Sequence, residues 1–186
     1  VFIEFRCFFV QFWSYGCFES IFGKFGVWYR VLDGFERFWS ESESYTAEAA
    51  EPIPLGEWTH LAGTYNSLTE QLTIYVNGEL AGTISASGNI NNGATSSTLY
   101  TRIGSSLRIA TDYNFFNGVI DEVRMWDVAR NQSQIQNTMN SEIGEVPQEL
   151  IGYWRLNEGE GIYTYDLSAN NNDGTINGAQ WVPGVS

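Results

Sequence analysis

The chain holds one lysine (Lys24), one histidine (His60), two cysteines (Cys7 and Cys17) and four prolines. Against so few cations stand 22 acidic residues, for a formal net charge of −13. Polyanions are held by clustered Lys and Arg, so nucleic acid and anionic membrane surfaces are excluded as partners. The balance suits a secreted surface protein or divalent cations, and equally a β-rich surface kept soluble by its charge. Two cysteines are too few for a disulfide scaffold or a zinc site; Cys7 and Cys17 either bridge adjacent strands or remain buried thiols. No apolar run reaches the roughly 18 residues of a membrane-crossing helix, so membrane insertion is not expected. A signal-peptide pattern is also missing. The chain opens on Val1-Phe2-Ile3-Glu4-Phe5, the pattern of a strand interior, so the natural start is expected to be missing from this sequence.

What the chain does have is aromatic residues, at 16%, and 19 glycines, a mixture that favours strands and tight turns over helices. Asn77-Gly78 sits between Gln71–Val76 and Glu79–Ile84, a strong two-residue hairpin signal. Trp58 to Tyr65 reads as a strand, as does Glu149 to Leu156. From Val119 to Trp126 the period is two: Val119, Asp121, Val123 and Met125 on one face, Ile120, Glu122, Arg124 and Trp126 on the other. One short helix should follow, because Asn131 caps it, Gln134 stands three residues on as in a capping box, and Ile135 and Met139 share a face. Residues 85–98 are Ser, Gly, Asn and Thr almost throughout, an exposed loop.

Glu57-Trp58-Thr59-His60-Leu61-Ala62, Ile74-Tyr75-Val76-Asn77-Gly78, Arg102-Ile103-Gly104 and Phe116-Asn117-Gly118-Val119-Ile120-Asp121-Glu122-Val123-Arg124-Met125-Trp126 together resemble the laminin-G-like jelly-roll domain of the concanavalin A-like lectin/glucanase superfamily. The resemblance implies an all-β fold, a two-sheet antiparallel jelly-roll sandwich, with one short helix near 132–139. It covers residues 55–140 in order. Residues 1–54 fit loosely, and Arg6 stands where such domains have Trp. Residues 1–146 are expected to form the sandwich body. Segment 147–186 resembles the first strands of such a domain although it comes last. It is expected to complete the same sandwich; the alternatives are a second repeat, or donation to a neighbouring subunit and hence self-association.

Enzymatic relatives carry a Glu-x-Asp-x-x-Glu strand, whose alternate positions supply two carboxyls about 5–5.5 Å apart. The motif is absent here. Asp121 and Glu122 are adjacent, so strict alternation turns them to opposite faces. His60 lies in a strand with no Ser/His/Asp context. A non-catalytic module is expected, extracellular or at the cell surface, recognising a glycan or an extracellular protein. Exposed aromatics available to stack on sugars are Trp28, Tyr29, Trp39, Tyr100 and Tyr113, with Trp58, Trp126, Trp154 and Trp181 assigned to packing. Calcium is the cofactor the resemblance implies. Its candidate oxygen donors are Asp166, Asn170 and Asp173, with Asp121 beside them and Asp112 and Asn114 as a second set. The same Asp and Asn residues also make turns by bonding their own backbone, and both readings stand.

Overall fold

The computed structural model describes residues 2–9, 18–19, 28–30, 35–39, 44–51, 53–88, 101–109 and 112–183. Tyr100 and Cys17 lie outside these residues, and with Cys17 the question of a disulfide. In chain order the strands are β1 (Phe2–Phe9), β2 (Phe18–Glu19), β3 (Trp28–Arg30), β4 (Phe35–Trp39) and β5 (Ser44–Glu48). Next come β6 (Trp58–Asn66), β7 (Gln71–Val76), β8 (Glu79–Ser85), β9 (Arg102–Ile103), β10 (Ser105–Ile109) and β11 (Asp112–Phe115). The long β12 (Gly118–Trp126) leads into helix α1 (Gln132–Thr138), followed by β13 (Leu150–Trp154), β14 (Tyr163–Thr164) and β15 (Gly174–Thr175).

One antiparallel sheet has the order β13-β12-β1-β6-β7-β8, and a second has the order β3-β4-β5. Alternation along each strand divides the large sheet into two apolar faces. Leu61, Tyr65, Leu72, Ile74, Val123, Met125 and Trp154 point inward and form the main core with Ala47 of β5. Leu61, Leu72 and Ile74 are fully buried, worth about 1.5–3 kcal/mol each. Ala62, Trp126, Leu150 and Tyr153 point outward, where Ile135 of α1 covers them in a smaller second core. The expected all-β sandwich with one short helix is therefore what the chain forms.

Two glycines mark where the layers close. Gly82 of β8 passes so near β5 that a Cβ there would lie 2.0 Å from the Glu48 carbonyl oxygen. At the β7–β8 turn Asn77 and Gly78 both have positive φ, 50° and 75°, as a type I′ turn requires. A Cβ on Gly78 would also meet Gln136 and Met139, so the hairpin tip tucks under α1. The helix begins as its sequence prescribes. The Asn131 side chain accepts from Gln134 N–H, and Gln134 Oε1 accepts from Asn131 N–H.

Strict alternation fails at one point in β12. Glu122 has φ 55°, and the register against β1 jumps from Glu4↔Arg124 to Arg6↔Asp121. This is a β-bulge, one extra residue on β12. Ile120 consequently packs with Val123 and Met125 in the main core rather than on the face of Trp126. Asp121 and Glu122 do not face opposite ways: both fall on the outer side, Asp121 by its register with Arg6 and Glu122 by its bond to Arg124.

The C-terminal segment lies along this same sheet. β13 pairs with β12, and the far edge of β13 is covered by the chain that follows. Tyr153 N–H donates to Asp166 Oδ1, Leu167 N–H to the Tyr153 carbonyl, and Asn170 Nδ2 to the Ile151 carbonyl. The backbone groups that an added strand would pair with are already taken.

Candidate functional site

The largest concentration of charge is on the outer face of the six-stranded sheet, beneath α1. Glu4, Glu122 and Arg124 are buried there with His60, although burying unpaired charge is costly. Their pairing answers that cost. Glu4 Oε1 accepts from Arg124 Nη1 at 3.4 Å, Arg130 Nη1 at 3.3 Å and Trp126 Nε1 at 3.2 Å. Glu4 Oε2 lies 3.3 Å from His60 Nε2 but off the line of a hydrogen bond. Glu122 Oε2 accepts from Arg124 Nη2 at 2.5 Å and from the Tyr153 hydroxyl at 2.9 Å. Arg124 also donates to the carbonyls of Thr138 and Ser141, and Arg130 to the Gln134 carbonyl, so both arginines hold the C-terminal end of α1. Arg130 stacks on the Trp126 ring at 4.1 Å.

Burial opposes ionisation of Glu4, but His60, Arg124 and Arg130 outweigh it and hold its carboxyl below the ordinary value. Burial likewise opposes the charge on Arg124, and Glu4 and Glu122 outweigh it, raising its pKa. Both acids are thus spent on arginines, and neither is free to act as a nucleophile or general acid. The cluster is a clamp between sheet and helix. Beside it an open groove of about 690 Å³ runs between α1 and residues 141–149, floored by Trp126 and Arg130 and rimmed by Glu142, Glu145 and Glu149.

The C-terminal loop does not suit a cation. Asp166 is buried, and its Oδ1 accepts from Tyr153 N–H and Ser168 N–H, its Oδ2 from the Ser168 hydroxyl and Asn172 N–H. Four donors aimed at two oxygens leave a calcium ion no anionic face to approach. Asp173 Oδ1 accepts from Asp166 N–H, and Asn170 holds β13 through its amide. These residues build turns and cover an edge. Asp121 stands in β12 opposite Arg6, while Asp112 and Asn114 pair with Ile109 and Ser106 in the β10–β11 hairpin. Among the described residues no group of three or more His, Cys, Asp or Glu is placed to hold a metal.

The candidate aromatics separate by register. In the three-stranded sheet Trp28 pairs with Arg37 and Tyr29 with Glu36, which in turn pairs with Ala47. Ala47 is buried in the main core, so Tyr29 takes a core-face position. Trp28, Arg37 and Trp39 take positions on the opposite face, Trp39 two residues along β4 from Arg37. Diagonal neighbours of this kind are about 7–8 Å apart at Cα. Tyr113 pairs with Leu107 in the β10–β11 hairpin, away from that group in the sheet order. Trp126 and Trp154 are packed on the two faces of the large sheet, while Trp58 and Trp181 are only partly buried.

Among the described residues three exposed aromatics were missed by sequence reasoning, Phe115 at 64%, Tyr163 at 54% and Tyr165 at 56% exposure. For the tyrosines the signal was present in Ile162-Tyr163-Thr164-Tyr165-Asp166, where the buried residues are Thr164 and Asp166. Small and polar side chains turned inward ran against the apolar-inside pattern that identifies a strand face.

A family model described as the concanavalin A-like lectin/glucanases superfamily matches residues 13–136. Human pentraxin-related protein PTX3 is 30% identical over 132 residues, 63% of this chain and 31% of that protein. The chain thus spans less than a third of the curated relative it matches. Among solved structures, a Bacteroides ovatus protein assigned to carbohydrate binding superposes with a TM-score of 0.76 at 22% identity, over 94% of this chain and 51% of that one. The CBM40 of a Ruminococcus gnavus IT-sialidase, bound to α2,3-sialyllactose, superposes with a TM-score of 0.59 at 13% identity, over 73% of this chain and 80% of that one.

Proposed function

This chain belongs to the concanavalin A-like lectin/glucanases superfamily, and on that premise we propose that it is a non-catalytic, extracellular carbohydrate-binding module. The observation that carries the proposal is the shared outer face of the β3-β4-β5 sheet, where register brings Trp28, Arg37 and Trp39 to neighbouring positions. Aromatic rings present flat apolar surfaces to the C–H faces of sugar rings, and a guanidinium donates to hydroxyls. The fold supports this reading, since its structural neighbours include a protein assigned to carbohydrate binding and a module bound to a sialylated sugar. A non-catalytic role is supported by the missing Glu-x-Asp-x-x-Glu strand and by arginine pairing of the buried acids Glu4 and Glu122.

Four donors already occupy the Asp166 carboxylate, so binding is proposed without a calcium step. A glycan array probed with calcium and with chelator tests both points. Binding that is equal in the two conditions, and lost in Trp28→Ala/Trp39→Ala, is the expected result. An array blank in both conditions would overturn the proposal, and binding confined to the calcium arm would restore the ion.

A further inference from the structure

A second surface has the chemistry to meet a sugar. β14 and β15 form a short antiparallel ribbon in which Tyr163 lies opposite Thr175 and Thr164 opposite Gly174. Thr164 and Asp166 are buried on either side of Tyr165, so Tyr163 and Tyr165 lie on one outward side of the segment, with Thr175 opposite Tyr163. Tyr163, Tyr165 and Thr175 are exposed, as is the nearby Asp173. The other side turns Thr164 into the protein. The two tyrosines are two positions apart on an extended segment, which spaces them by about 6.6–6.8 Å.

The ribbon is held in place. Glu158 Oε1 accepts from the Thr164 hydroxyl at 2.9 Å and from Tyr165 N–H at 2.8 Å. Ile176 N–H donates to the Ile162 carbonyl at 2.8 Å, and Trp181 Nε1 donates to the Gly161 carbonyl at 2.9 Å. A platform fixed before the ligand arrives loses little freedom on binding.

We propose that the Tyr163–Tyr165 face of the β14–β15 ribbon is a separate contact surface for a neutral oligosaccharide. Two ring faces beside the Thr175 hydroxyl match a pyranose or furanose, which is apolar on its C–H face and hydroxylated at its rim. The carboxylate of Asp173 and the net charge of −13 select against acidic sugars. This inference rests on the glycan-binding reading above but uses different residues, so the two can fail separately.

The test is calorimetric titration of the full chain with neutral cello-, xylo- and arabino-oligosaccharides and with α2,3-sialyllactose as the acidic counter-probe. Tyr163→Ala/Tyr165→Ala is expected to weaken the neutral sugar at least about tenfold with an unchanged melting temperature. In the unsubstituted chain, saturating the tyrosine ring protons should transfer magnetisation to sugar C–H protons. Three results would overturn the inference. Binding that survives the tyrosine substitutions but is lost in Trp28→Ala/Trp39→Ala leaves only the first surface. Self-association abolished by the tyrosine substitutions makes this face an interface between copies. Tighter binding of sialyllactose than of any neutral sugar reverses its selectivity. Failure of the unsubstituted chain to bind any sugar removes both readings at once.

Discussion

Arg124 donates to Glu4, Glu122 and two carbonyls of the α1 end from a position 1% exposed. Arg124→Met keeps an unbranched apolar stem but removes the guanidinium shared by two buried carboxylates. Urea unfolding should show a loss of about 3–5 kcal/mol, more than any surface substitution would give. Glu4 adds a pH dependence. Its folded pKa lies below the ordinary 4.5, so between those values the unfolded chain binds more protons and stability rises with pH. The contribution is full above about 4.5 and is lost as pH falls through the folded value. Glu4→Gln should therefore flatten the acid limb of a plot of unfolding midpoint against pH, whatever it does to stability at neutral pH. An unchanged slope would mean that Glu4 is not the group responsible. None of this was legible from the residues singly, because Glu4 and Arg124 are 120 positions apart and only the β1–β12 register brings them together.

At the scale of the element, α1 was the most legible piece. Its cap, capping box and single buried residue, Ile135, are local facts of a seven-residue segment. Asn131→Ala should cost about 1 kcal/mol and Ile135→Ala about 2–5 kcal/mol in chemical denaturation. β12 was legible as a strand, but the bulge at Glu122 was not. Nothing in the residue types announces an extra residue, and its cause lies in the partner strand's register. The loop at 166–173 left two readings open in the sequence for a similar reason. Asp and Asn at alternate spacing serve either a cation or the backbone, and the free edge of β13 decided for the backbone. Asp166→Ala orphans four donors and should destabilise by at least about 2 kcal/mol, with added calcium making no difference to the melting temperature of the unsubstituted chain.

On the scale of the whole molecule, the described part of the C-terminal segment, residues 147–183, lies against the large sheet. β13 covers the edge of β12, Trp154 enters the main core and Tyr153 the second one. A chain ending at residue 146 should expose that edge and aggregate, and adding 147–186 as a separate peptide should recover soluble protein; if residues 1–146 alone give a soluble, cooperatively unfolding species, this role for the segment is refuted. The sequence by itself determined the sandwich class, the hairpin at Asn77-Gly78, the capped helix and the poverty of basic surface, because each depends on neighbours within a few residues or on composition. Tertiary structure alone decided that Glu4 and Glu122 are joined through Arg124 in one buried clamp, that Ile120 turns inward past a bulge, and that Trp28 and Trp39 share a face while Tyr29 does not. Those outcomes depend on register between strands far apart in sequence, where a shift of one residue moves every side chain to the other face.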